Sequence, residues 1–523
     1  MTRTRLVPLA VLLLLTPACA KRAGYHSDAA GGYGATATAA MEAPNSESYA
    51  HVAENAFKRV ADDPLSTFSI DVDTASYSNV RRFLEDGQLP PADAVRIEEM
   101  INYFSYAYPE PAGAQPFSVR TEVAACPWND KARLVQIGIK GKSLAPAEIP
   151  PRNLVFLLDV SGSMASPDKL PLLQRSLTML VADLRPVDSV GIVVYAGAAG
   201  VVLEPTSDRD AIVAAIDRLY AGGATNGGQG IEAAYALAQR SFRKGGINRV
   251  ILATDGDFNV GVSSEGALQQ LIERKRDSGI FLSVLGFGTG NVKDSTMELL
   301  ADKGNGNYAY IDGLQEARKV LVEQAGATLV TIAKDVKIQV EFNPLAVGAY
   351  RLVGYENRML AHQDFNDDRK DAGEIGAGHT VTALYEVLPP GAEGAVPGVD
   401  PLRYQRPASA AATGSGELMH VKLRFKPPEG DDSQLLTMPV ADPGSALDAA
   451  SDDLRFAAAV AMFGMKLRNS EHAKAISYRQ IRGLAEGALG PDPRGYRRGM
   501  LALLGLAAGR QGEPLEAPVG VAR

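Results

Sequence analysis

The sequence predicts an α/β fold: a doubly wound, mostly parallel sheet, flanked by or inserted in an antiparallel β-sandwich, with a C-terminal helical segment. Three observations predict it. Between residues 152 and 328, continuous apolar runs at 153–158, 190–195, 250–253 and 280–285 alternate with helical stretches at 170–184, 208–220, 230–242, 265–277 and 294–302. Strands that are apolar on both faces belong to a parallel sheet covered on both sides. Past residue 330 the hydrophobic period falls to two. Val336, Ile338, Val340 and Phe342 alternate with Lys337, Gln339 and Glu341, and Met419, Val421, Leu423 and Phe425 with His420, Lys422, Arg424 and Lys426. That period marks half-buried antiparallel strands. Finally, 454–467 is apolar on nearly every side, as a buried helix is.

The remaining elements follow in order. Residues 1–19 read as an export signal: Arg3 and Arg5, an apolar stretch at 6–15, then Ala18 before Cys19. The stretch is too short to span a membrane as a helix. Cys19 resembles the lipidated cysteine of the bacterial lipoprotein cleavage box, although Pro17 departs from that pattern. The resemblance implies a membrane lipid anchor, and Ala20 resembles outer-membrane retention; ordinary cleavage nearby or an uncleaved anchor are the alternatives. Residues 20–60, rich in Ala, Gly and Ser, read as a flexible tether.

An N-terminal α+β flank is expected over 61–145, with alternation at 68–73, 117–125 and 135–139 and helical spacing at 77–84 and 94–104. The α/β domain is expected over 150–330, a β-rich domain over 331–440 with a loop at 389–416, and a helical segment over 447–510. Because β-type segments lie on both sides of the α/β block, one sandwich with that block inserted is the economical account.

Composition bounds the function. A chain of 523 residues exceeds one ordinary domain. With 46% hydrophobic and 22% charged residues, it is neither wholly disordered nor a multi-span membrane protein. A net charge of −8 argues against a nucleic-acid partner. Two cysteines make no disulfide framework, and six histidines leave little for a His-rich metal site. Cys126 reads as a small buried apolar residue.

The chemistry concentrates at strand ends. The apolar run 153–158 ends in Asp159-Val160-Ser161-Gly162-Ser163, so one turn can aim three oxygens at one point. In open α/β sheets ligands gather at the carboxyl ends of the strands. A carboxylate and two hydroxyls are hard donors, suited to Mg²⁺, Mn²⁺ or Ca²⁺ rather than zinc. A polar loop at 222–226 and a strand ending in Thr254-Asp255-Gly256-Asp257 can reach the same edge.

Asp-x-Ser-x-Ser, a later Thr loop and a later Asp-Gly together resemble the metal-ion-dependent adhesion site of von Willebrand factor type A domains, over roughly 150–330. The resemblance implies that Ser161, Ser163 and Thr225 are hydroxyl ligands and that Asp159 and Asp255 are carboxylates, often acting through water. It also implies that an acidic side chain of a protein partner completes the metal's coordination. Residues 64–77, 254–261 and 373–379 further resemble bacterial envelope proteins of the YfbK type.

Other motifs carry less. Asp71-Val72-Asp73-Thr74 resembles a phosphatase nucleophile motif with its Thr one place early, and reads as a strand end with solvated carboxylates. Residues 286–291 resemble a dinucleotide loop, but Asn291 replaces the third glycine, so no nucleotide is expected. Residues 364–368 begin like a calcium loop, yet Arg369 takes the glycine position and Ile375 that of the bidentate Glu. His379 and His420 are placed on strands, without partners at ligand spacing.

The expected function is therefore a non-enzymatic, divalent-cation-dependent protein-binding module on an exported envelope lipoprotein. Its rivals are a metal-assisted hydrolase with Asp257 as base, and a structural scaffold in which the ion only stabilises a loop.

Overall fold

The computed structural model describes residues 46–523 except 72, 197, 224–226, 257–264, 325–328, 371, 395, 399, 401–415, 429, 431, 514 and 516–523. The chain opens with β1 (Lys58–Arg59), β2 (Leu65–Ser69), α1 (Ala75–Glu85), α2 (Ile97–Asn102), β3 (Phe117–Ala125) and β4 (Arg133–Gly141). Next come β5 (Arg152–Asp159), α3 (Leu170–Asp183), β6 (Ser189–Tyr195), β7 (Ala199–Thr206), α4 (Arg209–Asp217) and α5 (Gly227–Arg240). They are followed by β8 (Ile247–Thr254), α6 (Glu265–Arg276), β9 (Phe281–Phe287), α7 (Asp294–Lys303), β10 (Tyr308–Ile311) and α8 (Leu314–Arg318). The last strands are β11 (Thr331–Phe342), β12 (Ala349–Val353), β13 (Ile375–Gly376), β14 (Thr380–Leu388), β15 (Glu417–Lys426) and β16 (Gln434–Ala441). Helices Asp452–Leu467, Tyr478–Glu486 and Tyr496–Arg510 close the chain.

Among the described residues, the central sheet has the order β10-β9-β8-β5-β6-β7 and is parallel except for β7. Every residue of β5 and β8 is buried, because helices cover both faces. Leu154, Phe156 and Leu158 face one layer with α3 and α4, whereas Val155 and Leu157 face the other with α5. β5 pairs with β8 with Leu158 opposite Ala253, so Asp159 and Asp255 emerge side by side at one sheet edge. The edge strand β7 has no counterpart in the sequence reading. Val201 and Val202 are exposed there and Pro205 interrupts donation, so it lacks the two-faced apolar signature of its neighbours.

The sandwich draws on both sides of this block. One sheet runs β1-β12-β14-β4-β3; the other runs β13-β11-β15-β16, with β2 also paired to β11. Val135, Ile137 and Ile139 of β4 lie opposite Tyr385, Ala383 and Val381 of β14. Their side chains share a core with Ile338, Val340, Val421 and Leu423 of the facing sheet. The α/β block is thus inserted between β4 and β11, whose sheets it separates in sequence but not in space. The helix Asp452–Leu467 is capped by the Ser451 hydroxyl and buried nearly all round. Its Gly464 faces Ile97 and Met100 of α2, where a Cβ would be tight.

Several expectations change. Residues 46–60, expected within the flexible tether at 20–60, are held by the folded chain, and 20–45 lie outside the described residues. Ser46 and Ser48 donate backbone hydrogen bonds to the carbonyls of Gly290 and Val292, and Glu47 pairs with the buried Arg82 at 2.9 Å. Asp73 is buried rather than solvated, because Arg358 arrives from the sandwich at 3.2 Å and the Tyr308 amide donates to it at 2.7 Å. His379 precedes β14 instead of lying on it. The helix after β10 is α-helical only to Arg318 and continues as a π-turn over Lys319–Glu323. Cys126 is buried and unpaired with sulfur. Cys19 lies outside the described residues, and none of the described helices is long and apolar enough to cross a membrane.

Candidate metal centre

Three loops meet above the ends of β5 and β8. The first, 159–163, turns immediately after β5. The Val160 amide donates to Tyr195 at the end of β6, and the Ser161 amide donates to the Asp159 carboxylate at 2.8 Å. The second, 222–223, is stitched to the first by two backbone hydrogen bonds, Gly222 to the Val160 carbonyl at 2.7 Å and Gly162 to the Gly223 carbonyl at 3.1 Å. The third carries Asp255 and Gly256. Gly256 has φ of 109°, and a Cβ there would collide with the Asn291–Lys293 backbone, so only glycine lets the two loops touch.

Asp159 and Asp255 are both fully buried, at 0% exposure. Asp159 also accepts hydrogen bonds from the Tyr195 hydroxyl at 3.1 Å and the Thr254 hydroxyl at 3.3 Å. The hydroxyls of Ser161 and Ser163 are 2.9 Å apart, and that of Ser163 also bonds Asp255. Ser163 itself is exposed, so the cluster opens to the surface on that side. Burial raises the pKa of Asp159; hydrogen bonds from Ser161 oppose the rise and the charge of Asp255 adds to it. For Asp255 burial acts in the same direction, but hydrogen bonds from Lys169, Asn291 and Ser163, with the Lys169 charge, hold it below the usual carboxylate value.

The structure therefore brings together four of the five residues singled out in the sequence: Asp159, Ser161, Ser163 and Asp255. Thr225, Asp257, Phe258 and Asn259 lie outside the described residues. Two participants were missed. The Lys169 ammonium sits 2.8 Å from Asp255 and 3.3 Å from the side-chain oxygen of Asn291. The clue was the glycine-rich loop 286–291: its Gly288 has φ of 75°, and a Cβ there would collide with the lysine stem. That loop serves this centre.

A second acidic cluster lies at the junction of flank, α/β domain and sandwich. Asp73, Glu99 and Glu298 bring carboxylate oxygens within 4.8 Å of one another, all buried. Arg96 pairs with Glu99 and Asp294. Arg358 pairs with Asp71 at 3.4 Å, Asp73 at 3.2 Å, Glu298 at 2.8 Å and Asp302 at 2.6 Å. Burial pushes Glu298 and Asp302 up to about 7, and Asp73 well above its usual value.

Comparison with known proteins fits this architecture. Residues 153–323 match the von Willebrand factor type A domain family, residues 43–136 a von Willebrand factor family, and residues 327–509 the C-terminal region of uncharacterized protein YfbK. Among relatives, "Uncharacterized protein YfbK" of Escherichia coli (strain K12) is 46% identical over 476 residues, covering 89% of this chain and 82% of that protein. A "UPF0353 protein" of Mycolicibacterium vanbaalenii is 28% identical, covering 34% of this chain and 62% of its own length. Among solved structures, von Willebrand factor type A from Catenulispora acidiphila covers 76% of this chain and 91% of its own, at 15% identity and a TM-score of 0.40. BatB from Bacteroides thetaiotaomicron covers 33% and 97%, at 24% identity and a TM-score of 0.29. The chain belongs to the YfbK family, and its central domain to the von Willebrand factor type A family.

Proposed function

We propose that the chain is a non-enzymatic, divalent-cation-dependent protein-binding module. The observation that carries this reading is the convergence of Asp159, Ser161, Ser163 and Asp255 on one surface-opening point at the sheet edge. The donor set fits a hard cation. Ser161 and Ser163 present oxygens 2.9 Å apart, which matches the edge, ~3 Å, of an oxygen octahedron around Mg²⁺ with bonds of about 2.1 Å. Ser161 and Ser163 would hold the ion directly, with Thr225 from the adjoining loop, and Asp159 and Asp255 through the waters they orient. Bound there, the cation supplies an electrophilic point for a carboxylate of a partner protein. Mg²⁺ is the expected ion, with Mn²⁺ and Ca²⁺ as substitutes.

Two further elements complete the reading. Cys19 carries the lipid anchor, so the module is displayed on the cell envelope, tethered to the outer membrane. The partner is a protein with an exposed Asp or Glu.

The test has two arms. Calorimetric titration with Mn²⁺ should give saturable binding by the wild-type chain and none by Asp159→Ala. Cross-linking in intact cells should capture a partner that is lost both with EDTA and in Asp159→Ala. Wild-type protein that takes up no ion refutes the metal reading. Capture that survives in Asp159→Ala, with only a lowered Tm, transfers the function to a scaffold in which the ion merely stabilises a loop.

A further inference from the structure

Lys169 is an unexpected residue to find beside a cation site, and the fold has made a place for it. It sits at the start of α3, where the helix dipole disfavours a cation. Yet it is only 7% exposed, its stem lies in the groove left by Gly288, and its ammonium bridges Asp255 and Asn291. Gly288 has a left-handed backbone that a larger residue would adopt only with strain, and a Cβ there would occupy the lysine's path. Gly256 in turn allows the loop carrying Asn291 to lie against Asp255. Two glycines and one amide thus build a slot for a single side chain, and the slot points at one carboxylate.

We propose that Lys169 is a built-in counter-cation of the centre, which weakens the chain's own hold on the divalent ion and so makes firm binding depend on a partner's carboxylate. The charge balance gives the reason. Asp159 and Asp255 carry two negative charges and Lys169 one positive, leaving one net negative charge. A divalent cation turns that into one net positive charge, which a single external carboxylate neutralises. Without Lys169 the loaded centre would already be neutral and would gain little from a partner. The ammonium also engages an oxygen of Asp255, so that oxygen is unavailable for direct ligation. Lys169 acts through Asp255 and is a positioning residue, not a ligand.

This inference rests on the metal reading above and deepens it. The test compares the full chain as wild type, Lys169→Met and Lys169→Gln in Mn²⁺ titrations, with and without acetate as the carboxylate probe. Methionine fills the Gly288 groove without charge; glutamine keeps a donor toward Asp255 without charge and stands in if the methionine variant fails to fold. Loss of the ammonium should tighten Mn²⁺ binding by at least about tenfold, since a unit charge a few ångströms from a divalent ion is strongly felt even at an effective dielectric of about 20. Acetate should strengthen Mn²⁺ binding in the wild type and much less in either variant. A merely structural role for Lys169 predicts weaker binding on substitution, so unchanged or weaker Mn²⁺ affinity in both folded variants overturns the proposal while leaving the metal reading intact. Absence of Mn²⁺ binding in the wild type and both variants overturns the two together.

Discussion

Two buried acidic clusters among the described residues, one at the sheet edge and one at the domain junction, are built differently. At the sheet edge, one of two carboxylates, Asp255, engages a lysine, the other partners of the pair are mostly hydroxyls and a backbone amide, and one side opens through Ser163. At the domain junction, Asp71, Asp73, Glu99, Asp294, Glu298 and Asp302 surround Arg96 and Arg358. Arginine is a planar fork that does not deprotonate and that engages several carboxylates at once. The junction's two guanidiniums each engage several of these acids and so fasten three parts of the chain together. Acidity alone does not define a cation site. The metal reading proposed for the sheet edge rests instead on its neutral oxygen donors and its opening.

Four substitutions break or sharpen this comparison. Asp159→Ala has the largest expected effect, eliminating Mn²⁺ uptake in calorimetry, whereas Glu298→Gln at the junction should leave Mn²⁺ affinity unchanged. Loss of uptake in Glu298→Gln would show that the junction, too, binds cations. Next, Arg358→Ala should destabilise the fold by about 3–5 kcal/mol in urea denaturation, because it strands several buried carboxylates.

A pH effect follows in size. Because the pKa of Glu298 is raised to about 7 in the folded chain, the folded state holds its proton where the unfolded state has lost it. That contribution to stability is present at low pH and is lost as pH rises from about 4.5 through about 7. Arg96, Arg358, Glu99 and Asp294 all bear on this group. Glu298→Gln should therefore gain on the wild type by about 1–2 kcal/mol between about pH 5 and about pH 8, read from paired denaturation curves. The smallest effect belongs to Glu204→Gln, which removes an exposed ion pair with Arg240 and should change stability by less than about 0.5 kcal/mol.

Much of this was legible because the relevant forces are local or periodic. Two-faced apolar runs marked β5, β6, β8 and β9, and a period of two marked β11 and β15. Strands with a diluted signature were not legible. β12 carries Arg351, which is buried only because Glu386 on the neighbouring strand pairs with it at 2.7 Å. β16 is a largely exposed edge with Pro439 in it. At the centre, Asp159, Ser161 and Ser163 share one turn and could be read as a unit. Lys169 could not, because its role depends on Gly288 and Asn291, which approach only through the sheet. Asp73 was misread for the same reason, its Arg358 being supplied from the far side of the inserted domain.

The order of the strands has a consequence for synthesis. Phe68 must meet Ile338, and Val135 must meet Tyr385, so β2 and the open edge of the β3–β4 pair wait while the whole inserted domain is made. That domain pairs β5 with β6 and β8 from its own residues and can fold during the wait, drawing the two halves of the sandwich toward each other as its ends come together. Closure of the sandwich is then the late, slow event, and the interval before it is when the chain exposes unpaired β edges and most needs protection from aggregation.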